Sequence, residues 1–138
     1  MDDKIKHLEF IQAVINRFAT ESARIKSYSI ILTSVLLFLF TTITIKREYM
    51  YIPLITIIAF WILDSYYLWQ ERLFRALYDY VRLLTESDFS MDVSQFFRGK
   101  IKNTRLNAMF SETLTIFYGL IALVTNIVFI IFINSSSN

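Results

Sequence analysis

Apolar positions along the chain follow two patterns, and the change from one to the other divides it. In Tyr28–Ile45, Met50–Trp69 and Thr113–Ile133 almost every position is apolar, whereas in 4–26 and 70–84 apolar residues recur at helical spacing among charged ones. Each continuous block holds about 20 residues, the length an α-helix needs to cross roughly 30 Å of hydrocarbon. In 4–26, Ile5, Leu8, Ile11, Ile15 and Phe18 share one face while Glu9, Gln12, Asn16 and Thr20 take the other. That spacing predicts an amphipathic helix running without a breaker into the first crossing. It is expected to pack on other helices outside the membrane; lying flat on the membrane surface is the alternative. Beyond the second block, Leu73, Leu77, Tyr80 and Leu84 keep one stripe with no Gly or Pro among them, so the second helix is predicted to continue to about Leu84. "TESDFSMDVSQFFRGK" then reads as a loop, and 101–112 as a helix leading into the third crossing.

The fold class expected is all-α: one membrane domain over 1–138, with transmembrane helices at 28–45, 50–69 and 113–133. The amphipathic helix 4–26 and a helix-loop-helix at 70–112 form its cytoplasmic part. Composition strengthens this picture. Hydrophobic residues make up 55% of 138 positions, with Phe at 13 of them, which is more apolar surface than so short a soluble chain can bury. Only two Gly and one Pro occur, so long helices are expected rather than barrel strands. The absence of Cys excludes disulfides and thiolate metal sites. The first block begins only at residue 28 and lacks a small-residue cleavage site, so it is not read as a signal peptide.

Charge sets the orientation. Lys4, Lys6, Arg17, Arg24 and Lys26 precede the first block, and Arg72, Arg75, Arg82, Arg98, Lys100, Lys102 and Arg105 lie between the second and third. Only Lys46 and Arg47 occupy the short loop. The positive-inside rule then places the N-terminus in the cytoplasm and the C-terminus outside.

Candidate chemistry is confined to a few positions. Asp64 interrupts the second block, and a charge at membrane depth costs about 2.5–3.5 kcal/mol on insertion scales, so a partner is required. Lys26 and Arg24, at the start of the first crossing, lie at similar depth, and Lys26 is the better placed. A structural ion pair is the plainer interpretation; a gating or pore-lining carboxylate is the sharper one. A proton relay is weaker, for want of a second acid or His in the crossings. In the third block Thr115, Gly119, Ala122 and Asn126 share a face, suited to helix packing in an assembly or to lining a conduit. Ser29, Thr33, Thr41 and Thr44 form a looser stripe on the first. Three crossings cannot enclose a wide aqueous path, so any pore requires several subunits.

No enzymatic activity, cofactor or metal is expected. His7 is the single histidine, and no phosphate-binding glycine loop, G-x-S-x-G or H-E-x-x-H occurs. The basic residues Arg72, Arg75, Arg82, Arg98, Lys100, Lys102 and Arg105 fit anionic lipid heads or, gathered around a ring of subunits, the phosphates of an anionic nucleotide. A duplex nucleic acid is not expected as a partner.

The stretches "KHLEFIQAVINRFA", "LDSYYLWQERLFRALYD", "DFSMD" and "TLTIFYG" resemble a family of small bacterial membrane effectors associated with anti-phage defence, the Hailong-type channel effectors. The resemblance extends from Lys6 to about Gly119, and "ESARIKSY" departs from it by carrying extra charge. It implies a homotetrameric ion channel of the bacterial inner (plasma) membrane, an antiviral defence effector gated by nucleotide binding. It also implies a nucleotidyltransferase partner whose oligodeoxyadenylate product holds the channel closed. The alternative function from the residues themselves is a non-conducting membrane adaptor or sensor that anchors a cytoplasmic partner.

Overall fold

A computed structural model of the protein describes residues 2–42, 49, 51–85, 88–97 and 104–135. Of the candidate site residues, Thr44, Arg98, Lys100 and Lys102 lie outside them. The described chain is all-helical: α1 (Asp2–Thr42), α2 (Ile52–Leu83), a 3-10 turn at Ser94–Phe96, the short α3 (Arg105–Met109) and α4 (Glu112–Ser135). Helices α1, α2 and α4 are long and apolar enough to cross a membrane, the mark of a membrane protein. At 1.5 Å per residue α1 extends about 60 Å and α2 about 48 Å, well beyond a roughly 30 Å hydrocarbon core.

No Gly or Pro interrupts α1, so the amphipathic segment and the first apolar block form a single rod. Pro53 stands in the first turn of α2, where its missing N–H leaves no bond unmade. At the other end of α2, Lys4 Nζ donates to Arg82 O at 2.9 Å and Leu84 O at 2.6 Å. A cation thus satisfies carbonyls left open at a helix C-terminus and complements the dipole there. The same antiparallel register brings Ile11 and Ile15 of α1 onto Leu77 and Val81 of α2, with Leu8, Phe74 and Tyr78 around them.

The buried line of α2 continues through Trp69, Leu73, Leu77 and Val81. Tyr80, expected on that stripe, is instead half exposed and stands edge-on to Phe96. Steps of four residues advance about 40° each around a helix of 3.6 residues per turn. The buried line therefore winds across the face of α2 as it follows α1. His7 completes the α1 stripe: its ring is buried, with Nε2 3.1 Å from Ser90 O and Phe89 beside it. Phe89 itself adopts a left-handed φ of 56°, uncommon for an aromatic residue.

One expected element is corrected. The helix foreseen over 101–112 does not run into the third crossing as a continuous unit: α3 ends at Met109, and α4 begins at Glu112 after Phe110 and Ser111. Thr104 caps α3 by accepting from Asn107 N. Trp61 Nε1 donates to Met109 O at 2.9 Å, and the Phe110 ring stands edge-on to Trp61. That tie to α2 satisfies a carbonyl at the break, and Glu112 then supplies a negative charge to the first turn of α4. Helix α4 packs chiefly on α2, antiparallel to it, through Leu114 and Tyr118 against Ile57.

Candidate functional site

The most concentrated chemistry of the described residues lies where α1, α2 and α4 meet. Ser22, Lys26, Ser29 and Thr33 follow one another at steps of four, three and four residues, which holds them on a single face of α1. That face meets Asp64 of α2, whose side chain is fully buried. Lys26 Nζ lies 2.7 Å from Asp64 Oδ2, the Tyr118 hydroxyl donates to the same oxygen at 3.0 Å, and Ser22 Oγ donates to Oδ1 at 2.5 Å. Lys26 Nζ also donates to Ser22 Oγ at 2.7 Å. Ser29, itself buried beside Tyr118, donates to Lys26 O at 2.8 Å.

Desolvating a carboxylate costs several kcal/mol, offset only when opposite charge and hydrogen bonds fill its lone pairs. Three donors from two other helices do so here. Asp64 is therefore a side chain through which all three long helices are joined by polar contacts. Lys26 keeps 23% of its side chain exposed, so the node is shut on the Asp64 side and open on the Lys26 side. Arg24 has no share in it and is corrected from the candidate pair: it bonds Glu21 at 3.0 Å on the exposed surface. Two residues of helix turn Arg24 about 160° away from Lys26's neighbour Ser22, so it points outward wherever Ser22 points in.

Sequence reasoning passed over Ser22, Tyr118 and Thr125. Their signal was present as spacing. Ser22 precedes Lys26 by one turn, and Tyr118 and Thr125 are seven residues apart in α4. Leu114, Tyr118, Thr125 and Phe129 form the face of α4 buried within the chain. The stripe of Thr115, Gly119, Ala122 and Asn126 lies on a different flank: Thr115, Gly119 and Asn126 are exposed and Ala122 is partly so. Asn126 Nδ2 donates to Ala122 O at 2.7 Å, and a Cβ added at Gly119 would meet nothing within 4 Å. The candidate stripe of α1 divides as well. Ser29 and Thr33 are buried, while Thr41 is exposed and bonds Phe38 O.

The described basic candidates do not converge within one chain. Arg72 donates to Asn107 O at 3.1 Å, and the Arg105 guanidinium lies 4.6 Å from the centroid of the Trp69 ring, so both fasten α3 to α2. Arg75 bonds Glu71 at 2.7 Å and Arg82 reaches Asp79 at 4.0 Å, each with about three-fifths of its side chain exposed. The Arg82–Asp79 pair is exposed on both sides, contributes about 0–1 kcal/mol and is readily exchanged for another anion, whereas Glu71 keeps only 12% of its side chain exposed. Among the described residues no three His, Asp or Glu side chains come together in a way that could hold a metal ion.

No family profile, curated protein or solved structure matches the chain.

Proposed function

We propose that the protein is a subunit of an oligomeric membrane channel. The observation that carries this is the outward flank of α4, where Thr115, Gly119 and Asn126 are exposed at membrane depth. A lone three-helix unit in lipid has no use for an exposed carboxamide and a glycine there; neighbouring subunits do. Subunits arranged around an axis are also what a conducting path requires, since three helices cannot enclose one. The buried Asp64 node gives each subunit a charged joint between its crossings, whose opening or closing would move α1 against α2 and α4.

An anti-phage role, a tetrameric ring and gating by an oligodeoxyadenylate rest on the family resemblance. Arg75 and Arg82 support the last of these, because their side chains are about three-fifths exposed. The distribution of basic residues supports a cytoplasmic N-terminus and a C-terminus outside, and the resemblance supports insertion in the bacterial plasma membrane. A second reading is favoured by Ile5 and Leu83, more than half exposed at the charged end of the bundle. They suit a non-conducting adaptor that docks another protein. Reconstitution of the purified protein in vesicles separates the two: ion flux is expected, and its absence overturns the channel in favour of the adaptor.

A further inference from the structure

One heptad beyond the Asp64 node, about 10 Å deeper along the helices, two polar side chains are buried without satisfaction. Thr33 follows Lys26 by seven residues, and Thr125 follows Tyr118 by seven. They are 3% and 0% exposed, and neither Oγ1 has a hydrogen-bond partner among the described residues. Both line a groove of about 200 Å³ between α1 and α4, whose walls are otherwise mostly apolar: Ile30 and Leu37 on one side, Leu120 and Val124 on the other. A buried hydroxyl without a partner bears its full desolvation penalty. An occupant of this groove that brings hydrogen-bonding atoms is therefore favoured over a lipid chain.

The other flank of α4 has the complementary problem. With Thr125 facing the interior, steps of about 100° per residue put Leu120 and Val124 roughly 100–140° to one side. The same steps put Thr115, Gly119, Ala122 and Asn126 roughly 60–120° to the opposite side. The groove and the small-residue stripe are thus back to back on one helix. Asn126 is adjacent to Thr125 in sequence, so its carboxamide stands at the depth of the unpartnered hydroxyls in every copy inserted the same way. After its bond to Ala122 O, a carboxamide still has a second N–H and an oxygen to offer, enough for two hydroxyls.

We propose that the α4 stripe of one copy docks into the α1–α4 groove of the next, with Asn126 reaching Thr33 and Thr125. Gly119 and Ala122 let the incoming helix approach closely. Two different patches on opposite sides of the subunit make the contact head-to-tail, and head-to-tail contacts repeated about an axis normal to the membrane close into a ring. This joint rests on the oligomeric reading above and specifies how its subunits meet.

The chain contains no cysteine, so introduced pairs report without background. Ser34, exposed on the groove wall, and Asn126 are changed together, Ser34→Cys with Asn126→Cys, in the full-length protein in native membrane vesicles. After oxidation with copper phenanthroline, a denaturing gel is expected to show a ladder of dimers, trimers and larger species. Each single variant is expected to stay monomeric. Adding Gly119→Ile, at a position where an added Cβ meets nothing within 4 Å, is expected to abolish the ladder while the helical circular dichroism is unchanged. A double variant that stays monomeric, its groove filled by lipid or water, overturns the joint. So does a dimer formed by Asn126→Cys alone, which would mean stripe on stripe. Flux from the same vesicles separates the two proposals: a ladder without flux rejects the channel and keeps the joint, and flux without a ladder does the reverse.

Discussion

Lys26 Nζ lies 2.7 Å from Asp64 Oδ2, so the last cation before the first apolar block is tied to the single acid within the second. Removing either partner strands the other, at about 3–5 kcal/mol for a buried pair. Asp64→Leu and Lys26→Met are each expected to destabilise by that order. The double variant Lys26→Met/Asp64→Leu is expected to recover most of the loss, since no charge is left unpaired. Unfolding curves in mixed detergent micelles measure all three; additive losses in the double variant would show that the pair is uncoupled. In vesicles, Asp64→Asn is expected to raise resting ion flux by loosening the joint between the helices.

Tyr118 supplies a second tie to the same carboxylate oxygen. A hydrogen bond to a charged group contributes about 1.5–3 kcal/mol, and Tyr118→Phe removes the hydroxyl without changing the ring that packs on Ile57 and Trp61. Its loss is expected to be smaller than that of Lys26→Met, measured in the same unfolding assay. A Tyr118→Phe protein as stable as the parent would show that Lys26 and Ser22 suffice to hold Asp64.

The exposed and the engaged arginines are expected to separate in a binding assay. If short oligodeoxyadenylates bind, the logarithm of affinity should fall with the logarithm of salt concentration, with a slope of roughly 0.7 per neutralised phosphate of a single strand. Arg75→Glu and Arg82→Glu are expected to weaken binding and reduce that slope, Arg82→Glu while leaving thermal stability almost unchanged. Arg72→Gln and Arg105→Gln are expected to lower stability instead. Arg105 over Trp69 represents a cation–π contact of about 0.5–2 kcal/mol. Binding that survives both reversals with an unaltered slope excludes this face of α2 as the site.

Asp92 confers a pH dependence on the loop that follows α2. The Ser94 backbone N–H and hydroxyl both donate to its carboxylate, at 2.8 and 2.9 Å, and hold its pKa below the ordinary value of 3.8. Because the folded value is depressed, the stabilisation is complete above the ordinary value and is lost as pH falls through the lowered one. Protection of the Ser94 amide from hydrogen exchange, referred to an unstructured peptide, is expected to hold from neutral pH to just above 3.8 and to fall below it. Asp92→Asn should remove that dependence. Protection that is flat down to the lowest pH in the parent would show that the turn is held by other bonds.

The sequence by itself determined the three apolar helices, the continuity of α1 and the extension of α2 to Leu83, because hydrophobic run length and the lack of Gly and Pro act locally. It also determined that Asp64 requires a cation, since desolvation cost does not depend on which helix supplies the partner. Tertiary structure decided the full set of groups that answer that need. Lys26, already the better placed of the two cations by sequence, shares the face of Ser22 and Ser29 that meets α2, whereas Arg24 does not. Tyr118 looked like one more aromatic in an apolar block until the rotation of α4 turned it onto Asp64. The same rotation sent Asn126 and Gly119 outward and left Thr33 and Thr125 facing a groove. Periodicity states which residues of a helix share a face. Which face meets which neighbour depends on packing among all three helices, and no one segment of the chain contains it.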